Sequence, residues 1–164
     1  MQRSPLQLEE FFFTDVVVRA NAEAEPEVIE VPLPVEVSAS IGFDTDGVHS
    51  IWLELSQPDE KLAYTIEVHA FATFKIDQEG CRQLYKKAFN PAVIGVNVAR
   101  IVYSSARELI ASLTARSAYG TAIIPGMFIE PADVELRFET DKTAEILQHE
   151  FGMSPEQITL ALDK

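Results

Sequence analysis

The chain has 164 residues, 47% hydrophobic and 24% charged, with 26 acids against 13 bases and a formal charge of −13. This suits one globular domain with a proper core. No apolar run reaches the roughly 18 residues of a membrane span, and the acid excess argues against nucleic acid and anionic lipid while leaving basic partners open. Cys81 is the single cysteine, which excludes an intrachain disulfide. With a start, "MQRSPLQLEE", that lacks the charged-then-apolar pattern of a secretion signal, it points to a reducing cytoplasm.

Period-two alternation dominates the first half. "LQLEEFFFTDVVVRA" (6–20) reads as a strand with Leu6, Leu8, Phe12, Val16 and Val18 on one face and Phe11 and Phe13 on the other. "VIEVPLPVEVSASI" (28–41) alternates too, with Ile29, Val31, Leu33, Val35, Val37, Ala39 and Ile41 all apolar. Pro32 and Pro34 lack donors toward the same edge of that strand, so it is an edge or is interrupted there. "HSIWLELS" (49–56) follows the turn "DTDG", and "KLAYTIEVHAFATFKI" (61–76) follows the turn "QPDE". Short links of this kind predict an antiparallel meander, with a longer first link free to cross over.

After "DQEG" the period changes to that of a helix. Residues 80–90 form a turn or two before "NP", and about Ala92 to Ser117 reads as one long helix. At 100° per residue, Ile94, Val98, Ile101, Val102, Leu109 and Leu113 make one stripe, and Ala99, Tyr103, Ala106 and Ile110 a second beside it. Together they cover roughly 200°, twice what one sheet requires. Arg100, Ser104, Arg107, Glu108 and Ala111 face away. The second stripe needs a cover. A symmetry mate is the simplest candidate; the other is the apolar, proline-broken segment 121–138 folding back. Two short helices follow, "KTAEILQHEF" closed by Gly152 and another opened by Ser154, with Pro155 at its first position and Gln157 completing a capping box.

"IVYSSARELIASLTARSAYG" (101–120) resembles the helix signature of the SecB export chaperones: an apolar pair, an aromatic, Ala106, Arg107 and Glu108, an apolar run, then Arg116, Ser117 and Tyr119. "AIIPGMF" resembles that family's proline-containing stretch after the helix, and "FFFTDVVVRA" its first strand. The resemblance covers about residues 6–138. It implies an α+β fold with a four-stranded antiparallel sheet, a meander with a crossover, packed by one long helix. That fold would fill a chaperone domain of residues 1–138, leaving 139–164 as a short helical appendage. It implies a homotetramer, a dimer of dimers, with Ile66, Val68 and Ala70 of the fourth strand and Ala99, Tyr103, Ala106 and Ile110 of the helix at contacts between copies. It implies ATP-independent holding of unfolded preproteins, without cofactor or metal, in apolar grooves. The candidate groove residues are Val31, Leu33, Val35, Trp52, Tyr119, Ile123, Ile124, Met127 and Phe128, for each of which ordinary core is the other reading.

The sequence also departs from the family. The tail "SPEQITLALDK" carries no cysteine or histidine, so the zinc motif that docks the SecA ATPase is missing. Asp15 and Glu67 match two acids that meet SecA, but Arg19 stands where a third is expected. Some relatives serve one dedicated partner, for example in a toxin–antitoxin system, and that reading stays open beside export.

No enzyme motif competes. His49, His69 and His149 lie on separate elements, no His/Cys spacing suits zinc, and there is no phosphate loop or nucleophile elbow. "DTDG" lacks the remaining ligands of a calcium loop. A hot-dog thioesterase also wraps a sheet around a helix, but that helix comes early in the chain, and here four strands precede it.

Overall fold

A computed structural model describes residues 4–24, 32–86, 89–139 and 141–162. Strands β1 (Leu6–Ala20), β2 (Glu36–Phe43), β3 (His49–Gln57) and β4 (Tyr64–Ile76) come first, followed by helices α1 (Gln78–Tyr85) and α2 (Pro91–Thr114). A 3-10 turn at Pro131–Asp133 leads to β5 (Val134–Phe138), then α3 (Thr143–His149) and α4 (Pro155–Leu162).

The sheet has five strands in the order β1-β4-β3-β2-β5 and is mixed. This corrects the expectation of four antiparallel strands. The meander β2-β3-β4 is antiparallel and β1 crosses over to pair with β4, but β5 adds a parallel edge beside β2, running from Ala39↔Val134 to Phe43↔Phe138. The sequence hid β5 because Val134–Phe138 is short and follows three chain-breaking residues. Its parallel sense follows from the long return through α2.

The second strand starts later than its alternation suggests. Pro32–Val35 is not strand, as expected of residues that cannot complete a ladder, and pairing begins at Glu36. Ile29 and Val31 lie outside the described residues.

In β1 the simple alternation fails for a definable reason. Register shifts between Leu8 and Glu10 and between Phe13 and Asp15 each insert one residue, so the phase inverts and then reverts. Phe11 and Phe13 therefore join Leu8 and Val18 on the helix side, with their rings edge to face at 5.0 Å, while Phe12 turns to the other side against Phe71 at 5.3 Å.

Helix α2 starts where Asn90 accepts a hydrogen bond from the Val93 N–H at 3.0 Å, with Pro91 at the position where its missing N–H costs nothing. Of its first stripe, Ile94, Val98 and Val102 are fully buried in one cluster with Ile41, Ile51, Leu53, Leu55, Val68 and Ala70, while Ile101 and Leu113 stay exposed. Gly95 lets the helix approach closely: a Cβ there would sit 3.1 Å from Leu136 Cδ2 and 3.3 Å from Ile41 Cγ1.

Helix α3 and the turn after it pack on the sheet. Ile146, Leu147 and Phe151 belong to the same buried cluster as the sheet, and the Phe151 ring stands edge to face with Phe43 at 5.3 Å. The expected capping box is present, with Ser154 N–H donating to Gln157 Oε1 at 2.9 Å and Gln157 N–H to Ser154 Oγ at 3.3 Å.

His49 joins this tail to the sheet. It is fully buried, its Nδ1 accepts from the Asp44 N–H at 3.3 Å, and its Nε2 lies 3.5 Å from Glu150 Oε2, a longer contact than an ordinary hydrogen bond. Desolvation holds its pKa below the usual 6.5, opposed by the charges of Glu150, Asp44 and Asp46. The folded ring therefore takes its proton at lower pH than the unfolded one. Stability is retained above about pH 6.5 and lost as the pH falls below it, with a limiting slope of about 1.4 kcal/mol per pH unit for one proton. Melting temperature is expected to fall between pH 7 and 5, and more shallowly in His49→Asn, which keeps a side chain able to accept from Asp44. Parallel slopes for both chains would remove His49 from this role.

Candidate functional site

The cover of the second helical stripe is intramolecular. The chain leaves α2, reverses at Gly120, which has φ +75°, and runs back along the helix as an extended strap over residues 121–130. Ala122 N–H donates to Thr114 Oγ1 at 2.8 Å. Three further helix side chains, spaced i, i+3, i+7, reach strap carbonyls. Arg107 Nε donates to Ile124 O at 3.0 Å, Tyr103 Oη to Pro125 O at 2.7 Å, and Arg100 Nη2 to Ile129 O at 2.9 Å. Burial pushes the Tyr103 phenol above its ordinary range, with Arg107 opposing, which keeps it a donor. Leu33 N–H adds a bond from the other side, to Ile123 O at 2.9 Å.

These bonds sort the strap into two sets. Ala122, Ile124 and Ile129 are buried, whereas Ile123 is 51%, Met127 39% and Phe128 78% exposed. Phe128 lies under the Arg100 guanidinium, 5.2 Å from its ring centre. A cavity of about 340 Å³ opens beside Ile123, between Ser104, Glu108 and Thr121, and one of about 250 Å³ beside Phe128, between Val93, Asn97 and Pro131. Chemically this is an apolar surface with side chains of varied shape and no fixed polar code beyond backbone-reading donors. Arg107→Ala is expected to cost about 1.5–3 kcal/mol, the scale of a charged hydrogen bond to a partly buried carbonyl, and to speed proteolysis within 121–130. Unchanged cleavage would mean that the strap is held by its buried side chains alone.

The nine expected groove residues divide. Ile123, Met127 and Phe128 are exposed along the strap. Leu33 and Ile124 are buried beneath it, Val35 and Tyr119 are half-buried, and Val31 falls outside the described residues. Trp52 is on the opposite face of the sheet, because β3 turns Ile51, Leu53 and Leu55 toward the helix.

The seven residues expected between copies are placed inside a single chain. Ile66, Val68, Ala70, Ala99, Tyr103, Ala106 and Ile110 are all buried by the strap and the sheet. Apolar side chains left exposed on α2 and the helix side of the edge strand β1 are Ile101, Leu113 and Val16, with Phe11 and Phe13 half-buried. Asp15 and Glu67 are exposed on adjoining strands of the open sheet face, Glu67 Oε1 lying 3.1 Å from His69 Nε2, and Arg19 stands one row further along. Arg100 and Arg107, read from the sequence as facing solvent, are half-buried clamps of the strap. Their spacing with Tyr103 is the signal that marks them as one face.

Among the described residues no group of His, Cys, Asp and Glu is arranged to hold a metal ion, and no helix is long and apolar enough to cross a membrane. No protein-family model and no curated protein matches the sequence. Among solved structures, the chain is similar to a SecB-like chaperone of Mycobacterium tuberculosis in complex with a ChAD peptide from the HigA1 antitoxin. The identity is 14% and the TM-score 0.43, over 76% of this chain and 88% of that one.

Proposed function

We propose that this chain is a SecB-like chaperone that holds non-native polypeptides, without ATP, on the strap and in the two cavities beside it. The observation that carries the reading is the strap itself. Ile123, Met127 and Phe128 are turned outward although Ala122, Ile124 and Ile129 already anchor the segment. A folded domain seldom leaves Ile, Met and Phe exposed in one short stretch unless something covers them in use. Methionine and aromatic side chains adapt to clients of differing shape, while the formal charge of −13 keeps the unoccupied surface from self-associating and attracts basic segments.

Copies are proposed to assemble as a dimer of dimers through the half-buried Phe11 and Phe13 and the exposed Val16 of β1 with the exposed Ile101 and Leu113 of α2. Service in cytoplasmic export is the finer part of the proposal, with Asp15 and Glu67 as the contacts for the SecA ATPase. The test is suppression of aggregation of two unrelated, chemically unfolded proteins at equimolar ratio without nucleotide. Protection of both is expected. Protection of neither by the well-folded chain would assign the fold to one dedicated partner instead.

A further inference from the structure

The open face of the sheet carries a second apolar feature, on the side away from the strap. The strand registers Phe12↔Phe71 and Phe71↔Trp52 set three aromatic side chains in one row across β1, β4 and β3, with neighbouring ring centroids 5.3 Å and 5.2 Å apart. The bulges in β1 create this row, since unbroken alternation would have put Phe12 on the helix side. Both ends stay open, Phe12 at 47% and Trp52 at 46% exposure, and Trp52 borders a cavity of about 770 Å³ over β2 and β5.

Each end also carries an acid two residues away on the same face, Glu10 beside Phe12 and Glu54 beside Trp52. Among the described residues neither makes an ion pair, whereas the nearby bases Lys75 and Arg137 are already held by Glu9 and Glu135 at 2.9 and 2.7 Å. An aromatic row ended by uncompensated carboxylates selects its occupant by charge. A second copy, packed face to face, would set these acids against their own kind, and phosphates or anionic lipid meet the same repulsion. A cation gains twice, from the carboxylate and from the indole face.

We propose that this row is a docking surface for an extended basic polypeptide, whose Lys or Arg side chains stack on Trp52 beside Glu54 while its apolar side chains cover Phe71 and Phe12. An extended segment laid across the strands places alternate side chains about 6.7 Å apart, so two or three of them span the row. The surface is separate from the strap, so it stands whether or not the strap captures clients.

Trp52 is the single tryptophan, so its emission reads this site alone. Titrating the full chain with a short unstructured peptide of lysine, phenylalanine and serine is expected to shift that emission saturably to shorter wavelength, less strongly at high salt. Glu54→Lys and Phe12→Ser, both at exposed positions, are each expected to weaken binding about tenfold, the scale of one desolvated cation–aromatic or charge contact. The Met127→Ser/Phe128→Ser chain should respond as the parent does. The proposal fails if the counterpart peptide with glutamate for lysine binds equally well. It fails too if the labelled basic peptide binds, by anisotropy, without moving Trp52 emission, or if the strap variant loses the response. An emission shift driven by chain concentration alone would give the face to a second copy and also overturn it.

Discussion

Exchanging Met127 and Phe128 together for serine is expected to weaken capture of unfolded polypeptide about tenfold to a hundredfold while leaving the melting temperature nearly unchanged. The two halves of that expectation have different sources. Phe128 is 78% and Met127 39% exposed, so folding gains little from either, and surface substitutions of this kind usually stay within about 0.5 kcal/mol. Binding is another matter. Covering an apolar side chain of this size is worth roughly 1.5–3 kcal/mol, and two anchors only partly covered by a client still amount to one or two factors of ten in affinity. Loss of Phe128 also removes the ring beneath Arg100, while the bond from Arg100 to the Ile129 carbonyl lies on the backbone and survives. A collapse in melting temperature would place these residues in the core and move the client site elsewhere. Binding of equimolar unfolded client, followed by anisotropy beside thermal melting of the same samples, separates the outcomes.

Placing aspartate at Ile110 is expected to unfold the chain. Ile110 is fully buried between the sheet and the strap. Truncation to alanine there should cost about 2–5 kcal/mol, the range for a buried Ile reduced to a methyl. A carboxylate in the same position is worse, because among the described residues Arg107 is already engaged by the Ile124 carbonyl and burial of an unpaired charge costs several kcal/mol more. Against the roughly 5–15 kcal/mol that holds a domain of this kind, the alanine chain should survive with a lowered midpoint and the aspartate chain should not. Chemical denaturation measures both. A folded Ile110→Asp chain of reduced mass in solution would contradict this and return Ile110 to a contact between copies.

Much of the fold was legible in the sequence, and the failures share a cause. Strand β4 alternates without interruption and its faces follow from the sequence, and α2 is located to within a few residues because Asn90 and Pro91 mark its start. Strand β3 is placed as a strand, but Trp52, expected in the groove, is on its open face. What periodicity cannot register is an inserted residue. One bulge inverted the faces of Phe11, Phe12 and Phe13 and a second restored the phase, so the aromatic row on the open face was invisible. Periodicity also cannot say what covers an apolar stripe. That α2 needs a second cover is legible, although Ile101 and Leu113 of the expected stripes stay exposed; a second copy and the returning strap satisfy the same stripe, and the structure supplies the strap. For the site, Ile123, Met127 and Phe128 were in view as a proline-broken apolar run. That Ile124 is buried and Ile123 exposed depends on which carbonyls Arg107 and Tyr103 reach, a tertiary fact. The tail was underrated because Phe151 and Ile146 are too few to mark a core helix until Phe43 is seen beneath them.

Backbone hydrogen exchange across residues 121–130, with and without an equimolar unfolded protein, tests the central claim most directly, since a client lying on the strap must slow exchange there. Pro125 has no amide hydrogen, so the readout rests on the other nine residues of the strap, Thr121–Ile124 and Gly126–Glu130. Protection of these amides on adding client, with β3 and β4 unchanged, is the result this account predicts. Client bound by the chain, as seen by mass or anisotropy, with exchange in the strap unaltered or faster, would contradict it.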